Sequence, residues 1–315
     1  MSDYQKYNDI FNKEIFQKSK GIIFSFSQLN DKNDKYVYCP YSHAISEDAV
    51  EQLGALMRRN LFFYSFGETE VIEYYESGCF DTMERAARYA YKNRLPKRAD
   101  ITDGLPSETL LDLLVQLYNP NAYKLAVRTI FRQDDNNEIK GYDLTYFTKD
   151  ESGISLWLGQ AKLGEIAYCK SGINRDLLEK FEPTYLSKQL FFVCTKRVAL
   201  TDDAKDILKT IEKINICTTD EGNSTRAEKL IAHLQDHKIA VKIPCLLAYG
   251  KIEPYQNASK LYEQIETEVQ EIRNYFDKHV YSFKGFAPEI VFYVFPIESI
   301  ERLRNKETGF YAGLC

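Results

Sequence analysis

Residues 139–163, IKGYDLTYFTKDESGISLWLGQAKL, contain two predicted β-strands joined by a short turn. The strands cover residues 139–147 and 154–163, because both stretches are rich in aromatic and β-branched residues. The turn between them spans residues 149–153 and ends in glycine. So short a turn joins antiparallel neighbours, and a further strand over residues 125–131 makes the predicted unit a three-stranded meander.

A helix is predicted on each side of this meander. Residues 108–118 carry leucines at positions 110, 113, 114 and 117, which is the spacing of one buried helix face. Residues 174–181 form the second helix, and the apolar run 189–194 is typical of a central strand covered on both faces. The order αβββαβ predicts an α/β (α+β) fold with a mixed sheet.

The first hundred residues differ in pattern from the rest and are predicted to form an α+β module of their own. Its predicted strands are residues 21–26, 36–39 and 61–64, and its predicted helices are 47–58, 68–76 and 81–94. The polar, proline-containing stretch 94–100 is the best linker candidate. The sequence therefore predicts an interaction module over residues 1–100 and a second domain over 101–315.

The composition is that of an ordinary folded protein. The 315 residues carry a net charge of −5, which excludes a basic coat over the whole surface. No apolar run approaches the roughly 20 residues that span a bilayer, and the polar N-terminus lacks a secretion signal. The seven cysteines are scattered, as expected for reduced thiols. These features predict a cytoplasmic protein without a membrane partner.

The chemistry-bearing residues lie in and just before the meander. Gln160 and Lys162 are two apart on one strand and face the same side, and the hairpin can bring Asp143 beside them. Glu108, in the first turn of the preceding helix, can complete the group. Oxygen donors of this kind bind Mg²⁺, or Mn²⁺ in its place, and such an ion assists attack of water on a phosphodiester.

We therefore predict a catalytic set of Glu108, Asp143, Gln160 and Lys162, in which the first three hold the metal. Lys162 would orient or help to deprotonate the attacking water and offset charge in the transition state. Each residue also has a plain structural interpretation. Asp143 can simply end a strand, Glu108 can be a first-turn acid favoured by the helix dipole, and Gln-Ala-Lys can end a strand by chance.

This arrangement resembles the PD-(D/E)xK nuclease superfamily, which has a restriction-endonuclease-like core. More narrowly, four segments resemble HamA, the effector of Hachiman antiphage defence, and the related AbpA proteins: residues 107–111, 141–143, 157–162 and 294–297. The resemblance implies a metal-dependent deoxyribonuclease that acts on DNA with a HamB-type helicase. Gln160 departs from the superfamily pattern, which has an acid at that position, and this implies weaker metal binding.

Three other functions stay open at this point. A decayed nuclease fold could bind nucleic acid without cutting it, a structural subunit could dock a larger enzyme, and the core could be that of a restriction-type (Mrr-like) endonuclease. Among weaker signals, the basic stretch 91–98 is either a phosphate contact or a solvated linker. His233 and His237 are expected to be an ordinary pair and not a zinc site, and residues 134–138 a hairpin turn and not a calcium loop.

Overall fold

The computed structural model describes residues 2–32, 36–95, 104–127, 141–151, 153–195 and 200–314. Within these ranges, helices cover both faces of one mixed β-sheet. The predicted α/β (α+β) fold class is confirmed. The strands are β1 (Ile23–Ser25), β2 (Asp31–Lys32), β3 (Tyr36–His43), β4 (Tyr123–Lys124), β5 (Leu144–Asp150), β6 (Gly153–Gly164), β7 (Ala240–Gly250) and β8 (Glu289–Ile297).

The strands follow the order β1-β3-β8-β7-β6-β5-β4 across the sheet, and β2 also pairs with β3. The four strands β3, β8, β7 and β6 are parallel to one another. The strands β1, β5 and β4 are antiparallel to their neighbours. Parallel strands need helices on both faces, because each crossover connection lays a helix on the sheet.

The predicted meander is present as β4, β5 and β6, with Leu144 opposite Gly159 in the register of β5 and β6. Its first strand lies just before the predicted one. It covers Tyr123–Lys124, while residues 125–127 are not in a strand. The rest of that predicted strand and the predicted turn at 134–138 lie outside the described residues.

The helices fill the layers above and below the sheet. Each of the five predicted helices overlaps an observed one, since amphipathic spacing is a strong signal for segments of this length. They are α1 (Asp3–Phe11), α2 (Gln17–Ser19), α3 (Ala49–Ser65), α4 (Glu68–Glu76), α5 (Met83–Asn93), α6 (Leu105–Tyr118), α7 (Ile166–Glu179), α8 (Pro183–Cys194), α9 (Asp202–Cys217), α10 (Asn223–Asp236), α11 (Leu261–Phe276) and α12 (Ile300–Arg304).

Two predicted strands are wrong, and both are parts of buried helices. Residues 61–64 continue α3, and residues 189–194 form the second half of α8. A short apolar run fits a buried strand and a buried helix equally well, so periodicity cannot separate them. The last strand of the αβββαβ order is therefore β7, which follows α7 only after three more helices.

The two predicted regions of the chain share the sheet and its core. β3, from the first hundred residues, pairs with β8 near the C-terminus, with Tyr36 opposite Ile290. One hydrophobic cluster extends from Tyr7 to Leu314. The boundary itself, at residue 100, stays a prediction, because residues 96–103 lie outside the described part of the chain.

Candidate active site

The alternation of side chains along β6 divides the candidate residues between two faces of the sheet. Ala161 packs into the core on the face covered by α6, together with Trp157. Gln160 and Lys162 face the opposite way, toward α7, on the same side as Leu156 and Leu158. The sequence prediction that Gln160 and Lys162 share a face is confirmed.

Gln160 is fully buried, and both ends of its amide are bonded. Its Nε2 donates to the carbonyl oxygen of Gly159 at 2.8 Å. Its Oε1 accepts from Nζ of Lys180, at the C-terminal end of α7, at 2.5 Å. The carbonyl on one side therefore fixes the orientation of the amide and directs its oxygen toward the lysine.

Lys162 lies in a channel that α7 leaves open at a glycine. A Cβ built on Gly172 would lie 2.9 Å from Cε of Lys162 and 3.1 Å from its Cδ. The ammonium of Lys162 contacts Oδ2 of Asp176 at 2.5 Å, and both side chains are largely buried. Lys180 contacts the same Oδ2 atom at 3.3 Å. Asp176 thus joins the two lysines.

The pKa of Lys162 is raised above its usual 10.5. Burial is the largest single influence and lowers that pKa, because it disfavours the charged amine. The carboxylates of Asp143 and Asp176, together with the hydrogen bond to Asp176, raise it by more. Lys162 is therefore an ammonium at neutral pH.

Asp143 lies at the point where β5 separates from β6. Its backbone N–H donates to Gly159, which continues the ladder beyond Leu144. Its carboxylate Oδ2 then accepts the backbone N–H of Ala161 at 2.9 Å, where β6 has no further β5 residue opposite it. This contact places the Asp143 carboxylate beside the backbone between Gln160 and Lys162.

Glu108 is buried in the first turn of α6, which packs on the other face of the sheet. Its Oε2 accepts from the hydroxyl of Tyr64 at 2.6 Å. Tyr64 and Asp143 line the same narrow cavity. The structure thus brings Asp143, Gln160 and Lys162 together and leaves Glu108 attached to Tyr64.

The side chains of Glu108, Asp143 and Gln160 have the chemistry to bind a divalent ion, but their contacts in the structure do not arrange them around one. Carboxylate and amide oxygens are hard ligands of the kind that Mg²⁺ prefers. Within the described residues, however, no three His, Cys, Asp or Glu side chains lie close enough to share a metal. The amide oxygen of Gln160 is also bonded to the Lys180 ammonium.

Sequence reasoning missed Asp176 and Lys180, although a signal for them was present. They are four residues apart in the predicted helix 174–181, so they lie on one helix face. Tyr168, Gly172, Asp176 and Lys180 form a single stripe of α7 at this spacing. Nothing in the sequence shows that this stripe faces the strand that carries Gln160.

A second buried polar cluster lies on the α6 face. Asp112 accepts hydrogen bonds from Asn60, Gln116 and the hydroxyl of Tyr146. Burial raises the pKa of Asp112, and those hydrogen bonds only partly oppose the increase. Nζ of the fully buried Lys124 donates to two carbonyls at the end of α3. This cluster joins α3, α6 and the sheet.

The weaker sequence signals have ordinary roles where they are described. The ring centroids of His233 and His237 lie 3.9 Å apart with the ring planes tilted by 35°, and Nδ1 of His237 bonds to the His233 carbonyl. Arg94 pairs with Glu70 and packs on the ring of Phe66. The six cysteines in the described part of the chain are free thiols.

The layered mixed sheet, with Asp143, Gln160 and Lys162 on neighbouring strands, defines an α+β protein whose core is consistent with that of a nuclease. The HamA family model matches residues 9–314 of the chain. The chain therefore belongs to the HamA family and is an antiphage defence protein. A search of curated proteins finds no match. Across the described residues, no helix combines the length and apolar character needed to cross a membrane.

Proposed function

We propose that this HamA chain is a nuclease that hydrolyses DNA phosphodiester bonds with Mg²⁺, or with Mn²⁺ in its place. The observation that carries the proposal is the Lys162 ammonium, which contacts the carboxylate of Asp176, is stabilised by the charge of Asp143 and lies on the same strand face as Gln160. A fixed cation beside oxygen donors suits a reaction in which negative charge builds on a phosphoryl group.

The raised pKa of Lys162 decides which role we assign to it. A protonated amine cannot accept a proton from water, so Lys162 does not act as the general base in this state. It can donate hydrogen bonds to the attacking water and to a phosphoryl oxygen. We therefore assign to Lys162 an orienting and electrostatic role.

When bound, Mg²⁺ would stabilise the developing charge and lower the pKa of a water molecule. Glu108, Asp143 and Gln160 are the residues that we propose would hold it. The hydrogen bond from the Ala161 backbone to the Asp143 carboxylate, on the strand that carries Gln160, supports this assignment. Gln160 contributes a neutral oxygen, so the site has less negative charge for the ion than a site with a carboxylate there.

We further propose that a HamB-type helicase delivers DNA to the chain. The net charge of −5 opposes tight binding of a polyanion by the chain alone. The sequence has no G-x-x-x-x-G-K-[ST] phosphate loop, so ATP-driven movement on DNA would come from the partner.

A second candidate function is nucleic-acid binding without cleavage. The contact between Lys180 and Gln160 favours it, because an ammonium lies where the amide oxygen would face a metal. In that case the two lysines would bind a phosphate and no bond would break.

The experiment is a plasmid-nicking assay with the purified full-length chain, with and without the partner helicase and with Mg²⁺ or EDTA. Nicking that requires Mg²⁺ is expected. Asp143→Asn and Lys162→Met should each reduce it by roughly 100-fold, which is the usual loss when one transition-state contact is removed.

Matched controls are Asp206→Asn and Lys205→Met on α9, which alter exposed ion pairs. These variants should cut like the wild type, and thermal unfolding should show that all four variants fold. Full cleavage by both site variants would remove Asp143 and Lys162 from the mechanism. DNA binding without cleavage under every condition would establish the second candidate.

A further inference from the structure

The C-terminal half of α7 places an ammonium on the one side-chain oxygen that Gln160 can offer to a ligand. Oε1 of Gln160 is 2.5 Å from Nζ of Lys180. The amide cannot turn this oxygen elsewhere without breaking the bond from its Nε2 to the Gly159 carbonyl. A buried donor that loses its partner is unfavourable, so the observed orientation of the amide is preferred.

Among the described residues on the α7 side of the site, the side-chain charges balance without a metal. Lys162 and Lys180 contribute two positive charges, and Asp143 and Asp176 contribute two negative charges. Adding a divalent ion to this group would leave an excess of positive charge in a largely buried place. Such an excess is unfavourable unless one ammonium leaves.

Lys180 is the ammonium that can leave. It lies at the C-terminal end of α7, and its side chain is 21% exposed, against 12% for Lys162. Its stem can therefore turn into water. Lys162 instead lies against Gly172 in the middle of α7 and contacts the buried Asp176.

We propose that Lys180 is a built-in competitor of the metal: its ammonium holds the cation position at Gln160, and a divalent ion binds there only when Lys180 withdraws. This inference rests on the proposed function in taking Gln160 as a metal ligand. An Mg²⁺ ion would lie about 2.1 Å from the oxygen, and an ammonium at hydrogen-bond distance from that oxygen would be its close neighbour. The two cations thus exclude each other.

The pairing also explains how a glutamine is accommodated at this position. Lys180 needs only an oxygen acceptor there, and Asp176 already supplies it with a negative charge. A glutamate at this position would bind the ammonium more tightly, because charge-assisted hydrogen bonds are roughly twice as strong as neutral ones. Gln160→Glu by itself therefore strengthens the competitor as well as the metal ligand.

The test measures metal binding directly. The full chain is stripped with EDTA, freed of the chelator and titrated with Mn²⁺, and free Mn²⁺ is followed by electron paramagnetic resonance. Lys180→Met removes the ammonium and keeps most of the stem, and should tighten Mn²⁺ binding by roughly tenfold or more, since one nearby positive charge is lost. Lys180→Gln is the second variant in case the methionine variant fails to fold.

The matched control is Lys170→Met, which removes a lysine from the same helix where it pairs with Glu271. Its Mn²⁺ affinity should equal that of the wild type. Combining Gln160→Glu with Lys180→Met should tighten Mn²⁺ binding by more than the two single effects together. Unchanged or weaker binding by both Lys180 variants would overturn the inference.

A nicking assay on the same preparations separates this inference from the proposed function. Tighter Mn²⁺ binding by Lys180→Met without cleavage by any form would support the competitor and refute the nuclease. Mg²⁺-dependent cleavage by the wild type, with no change of affinity in either Lys180 variant, would support the nuclease and refute the competitor.

Discussion

Replacing Asp176 by asparagine tests whether the buried charges at the site depend on one another. The Asp176 carboxylate is 6% exposed and contacts both Lys162 and Lys180. The asparagine side chain would keep the volume and an oxygen, so the change removes charge without creating a cavity. The variant should therefore be less stable because two ammonium groups lose the carboxylate they share.

The expected loss is about 3 kcal/mol at neutral pH. Removing one partner of a buried ion pair costs about 3–5 kcal/mol. The low end applies here, since Asp143 still lies near Lys162 and Lys180 can turn toward water. At roughly 2 °C per kcal/mol for a chain of this size, the melting temperature should fall by about 6 °C.

Urea unfolding followed by fluorescence of the single tryptophan measures this loss. Trp157 is buried on β6, the strand that carries Gln160 and Lys162. The control Asp206→Asn breaks an exposed pair on α9 and should change stability little. Equal midpoints for Asp176→Asn and the control would refute the claim that the charges are coupled through Asp176.

The pH dependence gives an independent check. The folded-state pKa of Lys162 is raised above 10.5, so its contribution to stability is fully present below about pH 10.5 and is lost as the pH rises through the folded value. The stability gap between wild type and Asp176→Asn should therefore be constant from about pH 6 to 9 and narrow at higher pH. A gap that widens above pH 10.5 would contradict the assignment.

Two further changes test other parts of the structure. Gly172→Ala places a methyl group against the Lys162 stem, and the cost of displacing that stem and its ammonium should exceed the gain of about 1 kcal/mol that alanine brings to a helix. Gly164→Ala meets only an ordinary contact with Tyr168. A Gly172→Ala variant more stable than the wild type would show that the channel is not tight. Burial lowers the pKa of His43 to about 4, and the hydrogen bond that Nδ1 donates to the Ala44 carbonyl opposes this only in part. Nε2 accepts the backbone N–H of Glu298, which it can do only in the neutral form. The free energy of unfolding should therefore fall by about 3 kcal/mol as the pH drops from 6.5 to 4. In acid denaturation His43→Gln should lose that dependence, and an unchanged slope of the free energy against pH in the variant would exclude His43 as its source.

Some helix positions follow from local sequence patterns, and others do not. The predicted helix 68–76 coincides with α4, and the Thr201 hydroxyl caps α9 by accepting the backbone N–H of Ala204. These features depend on neighbouring residues alone. Residues 189–194 were predicted wrongly because an apolar run without period is decided by what packs around it, and here three helices pack together.

The sequence by itself determined that Gln160 and Lys162 share a strand face and that Asp143 lies beside the adjoining strand, because strand alternation and short turns are local rules. It also carried the family resemblance that the comparison bears out. Only the tertiary structure decided that α7 covers that face, with Asp176 between two lysines and the Lys180 ammonium on the oxygen of Gln160. The physical reason is that a buried charge is costly unless an opposite charge lies beside it. Which partner is within reach depends on the packing of a helix against a strand and not on spacing along the chain.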